Sequence, residues 1–148
     1  MILILRLSLL REIEQFLKVF DLRLPEKLSD TSKISMFSQK VFYNREQGTY
    51  YGGEFLGTIT KSTKQFTPSM FFVSTYLQNG PKIIIDGKQE WLFICGRDVF
   101  LKDVRNGYYV VFDTQQNVLG YGKVSKDILY NKLDIGVFLR QEMQKGRS

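Results

Sequence analysis

The chain has 148 residues, of which 43% are hydrophobic and 14% aromatic, and its formal charge is +6. This length is enough for one domain or two small ones, and so much apolar side chain excludes a disordered polymer. The sequence contains no histidine, which excludes a Ser-His-Asp triad, a Cys-His pair and any histidine-ligated metal site. The basic balance favours a polyanionic partner.

The single cysteine, Cys95, lies in an apolar run and cannot form an internal disulfide. This is typical of a reducing compartment, and we interpret Cys95 as a buried, unreactive thiol. Arg6 interrupts the apolar N-terminal residues and no small-residue cleavage site follows, so we expect no secretory signal. Polar residues and prolines break the longest uncharged segment, 65–81, so we expect no membrane-spanning helix and a cytoplasmic protein, nucleolar if the source is a eukaryote.

In the first half, apolar residues at helical spacing predict a helix over 9–20, with Ser8 as its N-cap. Residues 34–43 predict a strand or strand pieces, and residues 49–59 predict a strand that contains glycines. Thr67-Pro68 predicts the start of a helix over 69–79 that ends at Gly80-Pro81. The core residues expected from this helix are Met70, Phe71, Val73, Tyr76 and Leu77.

In the second half, residues 83–85 and 90–94 flank Asp86-Gly87 and predict either a β-hairpin or a junction between domains. Residues 91–122 predict a strand, a short helix opened by Gly96, a buried strand over 108–112, a polar turn, and a strand with Gly120-x-Gly122. These two glycines share a strand face and leave room for another backbone or a ligand. Asp134 predicts the N-cap of a final helix, with the apolar stripe Ile135, Phe138, Leu139 and Met143.

The order of elements over 91–122 and its glycines resemble a PUA domain, a small pseudo-barrel that binds structured RNA. Five further segments occur in the order seen in the Nip-seven family of large-subunit ribosome-biogenesis factors, in its archaeal form: 53–58, the basic turn 61–66, the helix after Pro68, 90–99 and 134–140. The chain departs from the family pattern at 124–127, which is shorter and less basic than in many relatives.

The resemblance implies an α+β fold, with an N-terminal module of antiparallel sheet and helices over 1–87 and a PUA pseudo-barrel over 88–148. It implies an RNA-binding factor without catalysis or cofactor. The RNA would be pre-rRNA of the large subunit, with a preference for uridine-rich RNA, and other ribosome-assembly proteins would be partners. We expect a monomer.

Six basic residues are the candidate RNA contacts: Arg140 and Lys145 on the predicted final helix, Arg97 and Lys102 on the predicted short helix, and Lys123 and Lys126 after the Gly-x-Gly strand. Basic side chains neutralise phosphates and release counterions, a contribution that weakens as salt rises. The alternative for each residue is a solvated surface charge. The resemblance supports the pair on the final helix most.

Two other groups of charged residues are candidates for a functional role. We interpret Lys61 and Lys64 as a charged hairpin loop, and an auxiliary contact to RNA or protein as the alternative. Asp98 and Asp103 lie five residues apart without a further ligand nearby, so we interpret Asp98 as a helix cap and not as part of a metal site.

Two alternative functions stay open. The first is a protein-interaction adaptor whose second half has lost affinity for RNA with the shortened segment. The second is an RNA-modifying enzyme. Against it, the sequence offers neither a base–nucleophile pair nor a Gly-x-Gly-x-x-Gly cofactor loop.

Overall fold

The structure is a computed structural model that describes residues 3–45 and 53–136. The chain divides into two compact units, Met1–Leu77 and Gln78–Ser148. The sequence-based boundary at residues 87 and 88 falls ten residues later, inside the first turn of a helix of the second unit. Within the described ranges, no helix is long and apolar enough to cross a membrane.

The first unit combines two helices with a four-stranded antiparallel sheet, here called the first sheet. The helices are α1 (Leu3–Lys18) and α2 (Met70–Tyr76), and the strands, in both chain order and spatial order, are β1 (Ile34–Phe37), β2 (Lys40–Tyr43), β3 (Glu54–Ile59) and β4 (Phe66–Pro68). Two 3-10 turns, Glu26–Ser29 and Thr31–Lys33, connect α1 to β1. The N-cap predicted at Ser8 is wrong, because α1 begins earlier and Ser8 lies inside it.

One face of the first sheet packs against the two helices. Its fully buried strand residues are Ile34, Val41 and Leu56. The ring of Phe66 on β4 lies 5.7 Å from that of Phe16 on α1 and 5.0 Å from that of Phe72 on α2, measured between centroids. Aromatic pairs at such distances contribute about 0.5–1.5 kcal/mol each beyond the area they bury. This cluster fixes which face of the first sheet is covered.

The start of α2 differs from the sequence-based prediction. Thr67 and Pro68 lie in β4, an edge strand, where a residue without an N–H group is tolerated. The N-cap is Ser69, whose hydroxyl accepts the N–H of Phe72 at 3.0 Å. Phe71, predicted to be core, is exposed. The buried residues at α2 are Phe72, Val73 and Leu77.

The second unit contains a five-stranded sheet, here called the second sheet, which curls into a half-barrel beside the helix α3 (Gly87–Ile94). Its strands in chain order are β5 (Lys82–Ile84), β6 (Val99–Phe100), β7 (Gly107–Phe112), β8 (Val118–Ser125) and β9 (Ile128–Asp134), and their spatial order is β5-β7-β8-β9-β6. Only the β5–β7 pair in this sheet is parallel. The predicted mixed α+β class is confirmed, and the curled sheet is compatible with a pseudo-barrel.

Helix α3 replaces the strand predicted for residues 91–94 and the hairpin predicted at Asp86-Gly87. The Asp86 carboxylate accepts the N–H of Gln89 at 3.0 Å, and the Gln89 side-chain oxygen accepts the N–H of Asp86 at 3.1 Å. This reciprocal capping box contributes about 1 kcal/mol to helix stability and fixes where the helix begins. Phe93 then packs in the core of the second unit.

The segment after α3 corrects two further predictions. Cys95 is exposed at the end of the helix, so the prediction of a buried thiol is wrong. Residues 97–106 form β6 and loops, not the short helix predicted after Gly96. Asp98 therefore caps no helix there; its carboxylate accepts the N–H of Asn131 on β9 at 3.1 Å.

The Gly-x-Gly of β8 allows β9 to approach closely. A Cβ atom on Gly120 would collide with the backbone of Leu133, and one on Gly122 would lie 2.5 Å from the carbonyl oxygen of Tyr130. The predicted close approach of a backbone is confirmed, and the backbone is that of the neighbouring strand. Asp134, predicted to cap the final helix, is buried at the end of β9, and the body of that helix lies outside the described residues.

Candidate nucleic-acid interface

The short segment 124–127 forms a tight turn between β8 and β9. Lys126 and Asp127 are its two central residues, with φ angles of 51° and 61°, and Ser125 pairs with Ile128 on either side. Two central residues with positive φ are the signature of a type I′ turn, whose twist matches that of the flanking strands. The turn therefore fixes the register of the β8–β9 hairpin.

Asp127 also holds the loop after β6 against this turn. Its backbone oxygen accepts the N–H of Leu101 at 2.8 Å, and its carboxylate accepts the N–H of Val104 at 3.2 Å. From the same loop, the side-chain oxygen of Asn106 accepts the N–H of Lys126 at 3.1 Å. These bonds bring the loop and the turn together at one end of the second sheet.

Four cations meet at this end, and we call them the turn cluster: Lys102, Arg105, Lys123 and Lys126. All four side chains are exposed. The neighbouring carboxylates are Asp103 and Asp127, so the turn cluster has an excess of two positive charges. Across residues 3–45 and 53–136 the ion pairs are Glu14–Lys18 and Lys27–Glu54, so no salt bridge within that part of the chain neutralises the cluster.

Strand register places two tyrosines beside the turn cluster. Tyr108 on β7 lies opposite Lys123 on β8, and Lys123 lies opposite Tyr130 on β9. Residues directly opposite one another share a face of the sheet, so the three side chains form one row, here called the tyrosine row. The Lys123 Nζ lies 5.5 Å from the centroid of the Tyr108 ring, and Tyr130 is 39% exposed.

The tyrosine row offers a specific chemistry. Aromatic rings at a surface stack with unpaired nucleobases, and a cation between them can neutralise the phosphate that links two bases.

Tyr121 lies two residues from Lys123 on the same face of β8 and is only 8% exposed. Burial, with a smaller contribution from the nearby Tyr108, raises the pKa of Tyr121 to about 12. The Tyr121 phenol is therefore neutral at pH 7 and leaves the positive charge of the row intact.

Three of the six candidate residues come together in the turn cluster: Lys102, Lys123 and Lys126. Arg97 stands apart, because its N–H donates to the carbonyl of Leu92 at 3.0 Å, which holds it at the C-terminal end of α3. There it lines a separate cleft of about 410 Å³, together with Lys88, Trp91, Leu92 and Cys95. Arg140 and Lys145 lie outside the described residues.

Sequence reasoning missed Arg105 and both tyrosines of the row. Tyr130 had a usable signal: once Lys126-Asp127 is identified as a two-residue turn, counting outward pairs Lys123 with Tyr130. Arg105 had none, because its position depends on the hydrogen bonds that Asp127 makes to a loop more than twenty residues earlier in the chain.

The pair Lys61 and Lys64 lies in a hairpin loop, which is where the sequence placed it. Lys61 and Lys64 lie in an exposed turn between β3 and β4, closed by the N–H of Thr60 donating to the carbonyl of Gln65 at 3.2 Å. In the ranges that the structure covers, no three Cys, Asp or Glu side chains are grouped so that they could hold a metal ion.

No protein-family model matches the chain, and no curated protein matches it. The membership of the Nip-seven family therefore stays a prediction. The functional argument depends on the turn cluster and the tyrosine row.

Proposed function

We propose that the protein binds RNA without catalysis, and that its second unit contacts unpaired RNA through the tyrosine row and the turn cluster. The observation that carries this proposal is the register of Tyr108, Lys123 and Tyr130, which alternates aromatic ring and cation across three adjacent strands. This arrangement suits a chain of stacked bases joined by phosphates.

Two physical contributions support the proposal. The excess positive charge of the turn cluster supplies a sequence-independent attraction that weakens as salt rises. The tyrosine rings add stacking, which contributes about 1–3 kcal/mol per base and tolerates any base. Together they give an affinity for RNA with modest sequence preference.

The biological setting comes from the resemblance. A second unit with the PUA fold is supported by the curled sheet with α3 between its first two strands. The RNA that the resemblance implies is pre-rRNA of the large ribosomal subunit, with a preference for uridine-rich segments. In this proposal the protein is a monomeric ribosome-assembly factor of the cytoplasm, or of the nucleolus in a eukaryote, with other assembly proteins as partners.

The test is a salt titration of binding to a short single-stranded uridine-rich RNA. For Lys123→Gln/Lys126→Gln we expect weaker binding and a slope of log K against log salt that is smaller by roughly two, one for each lost phosphate contact. The matched control is Lys61→Gln/Lys64→Gln, which removes the same charge from the exposed β3–β4 turn and should leave the slope close to that of the wild type.

A second variant separates stacking from charge. Tyr130→Ala should weaken binding roughly tenfold without changing the salt slope, while Tyr130→Phe keeps the ring and should bind nearly as well as the wild type. Equal losses in the two lysine double variants would contradict the proposed site. No binding even at low salt would contradict the proposed function.

A protein-interaction adaptor is the second candidate function. The observation that favours it is a pair of exposed apolar side chains on the two edge strands of the second sheet, Ile84 on β5 and Phe100 on β6. Such a complex would be insensitive to salt, whereas RNA binding through the turn cluster would weaken as salt rises.

A further inference from the structure

The first sheet has a second face, which points away from α1 and α2. The residues on it follow from strand register and alternation: Ser35, Phe37, Lys40, Phe42, Phe55, Thr58 and Thr67, of which Ser35 is buried. A bulge at Leu56-Gly57 keeps the pattern in phase, because both residues oppose Val41 on the covered face and Thr58 returns to the open one.

Three phenylalanines dominate this open face. Phe37 is 56% exposed and Phe55 is 38% exposed. Phe42 lies directly opposite Phe55, and their ring centroids are 5.7 Å apart with an angle of 46° between the ring planes. Phe42 and Phe55 therefore form a pair of contacting rings, and Phe37 lies on the same face of the sheet, two residues along β1 from the partner of Phe42.

The charge on this face has one sign. Lys40 is exposed, and it lies between Phe37 on β1 and Thr58 on β3. None of the residues that the described strands place on this face is acidic. The acidic residue of β3, Glu54, is engaged elsewhere: both of its carboxylate oxygens accept hydrogen bonds from Lys27 at 3.2 Å.

We propose that this surface, the phenylalanine face (Phe37, Lys40, Phe42 and Phe55), is a second RNA site that holds unpaired bases by stacking. The inference rests on the proposed function for its class of ligand, but its site lies in the other unit and contains none of the same residues. Lys40 supplies the contact to a phosphate, and the hydroxyls of the two threonines can bond to sugar or base edges.

The composition of the face favours RNA over a protein partner. Its large apolar side chains are all aromatic, and its single charge is positive, which complements a polyanion. A nucleobase stacks on a ring, while a protein partner gains equally from aliphatic side chains of the same size. This difference makes the ring itself, and not its apolar area, the property to test.

The experiment uses the full chain and a short uridine-rich RNA that carries 5-iodouridine, which forms photo-crosslinks to stacked aromatic side chains. Phe37→Leu/Phe55→Leu keeps apolar bulk and removes the rings, and it should weaken binding roughly tenfold or more with an unchanged salt slope. Phe37→Tyr/Phe55→Tyr is the matched control, because it keeps both rings and should retain most of the affinity. Crosslinks should map to the peptides that contain Phe37, Phe42 and Phe55.

Each result decides between the two sites. If the wild type binds RNA, and Lys123→Gln/Lys126→Gln weakens it while the leucine double variant does not, the phenylalanine face is not an RNA site and the proposed function stands. If the wild type binds no RNA at all, the proposed function fails first. If the wild type self-associates and the leucine variant becomes monomeric with unchanged RNA affinity, the face joins two copies of the chain, which overturns the inference.

Discussion

The two sheets are built in a similar way but expose different side chains to solvent. Each is largely antiparallel and contains a glycine where one strand presses against its neighbour: Gly57 in the first sheet and Gly120 in the second. The open face of the first sheet carries three phenylalanines and one lysine, whereas the second sheet has a tyrosine row whose lysine belongs to a cluster of four cations. Burial requirements set the covered faces, and the open faces are free to differ.

This difference predicts that the two sites contribute to RNA affinity through different interactions. Affinity from the turn cluster falls steeply with salt, because it comes from released counterions. Affinity from the phenylalanine face depends less on salt, because it comes mainly from stacking and Lys40 is its single phosphate contact. The comparison therefore becomes a measurable contrast between two slopes.

The largest expected effect comes from the feature that both sheets share, a glycine at which two strands approach closely. Gly120→Ala places a Cβ against the backbone of Leu133, at a φ of 155°, and should lower the free energy of unfolding by about 3 kcal/mol or more. Chemical denaturation measures the change. The control is Gly87→Ala at the start of α3, where a Cβ meets nothing within 4 Å and stability should change by roughly 0.5 kcal/mol or less. Similar unfolding midpoints for the two variants would contradict the close-approach argument.

The next effect comes from Tyr121, a buried ionisable residue of the second sheet. The folded-state pKa of Tyr121, about 12, lies above the ordinary value of about 10, so the unfolded chain loses this proton first as pH rises. The stabilisation is complete below about pH 10 and disappears as pH rises through 12, for a total of about 2–3 kcal/mol.

The loss of stability from Tyr121 should reach about 1 kcal/mol by pH 11. Denaturation at pH 9 and pH 11 measures it, and Tyr121→Phe serves as the reference because it keeps the buried ring and cannot titrate. If wild type and Tyr121→Phe lose the same stability over this range, the buried phenol does not titrate as described.

The smallest expected effect comes from adding positive charge to the first sheet, so that its RNA binding depends on salt more as that of the second sheet does. Thr67→Lys adds a cation to the exposed end of the open face of the first sheet, so the salt slope for RNA binding should increase by roughly one and affinity at low salt should rise a few-fold. Thr67→Gln provides side-chain length without charge and should match the wild type. An unchanged slope in Thr67→Lys would mean that no phosphate passes this edge.

Local chemistry in the sequence was enough to predict some elements and not others. The strand pieces over 34–43 were predictable from alternation, and they form β1 and β2. Residues 91–94 were mistaken for a strand because four apolar residues in a row fit a buried strand and a helix equally well. The deciding signal was present two to five residues earlier, in the Asp86 and Gln89 of the capping box.

The site was less predictable than the fold. Thr67-Pro68 fits a helix start as well as an edge strand, and only the pairing of β4 with β3 decides between them. Lys102, Lys123 and Lys126 were identified as basic residues, but their meeting at one place depends on Asp127, whose bonds to Leu101 and Val104 are long-range. Exposure of Phe37 and Phe55 likewise depends on which face the helices cover, and that follows from tertiary packing.

The bonds of Asp127 also determine where the chain can accept foreign sequence. A label inserted between Lys126 and Asp127 would release the loop held at Leu101 and Val104 and would change the β8–β9 register at the same time. The turn between β7 and β8 is closed by Asp113 within the turn itself, whose carboxylate accepts the N–H groups of Gln115 and Asn117. A fluorophore or affinity tag therefore belongs at Gln115-Gln116, where it would not disturb the loop next to the turn cluster.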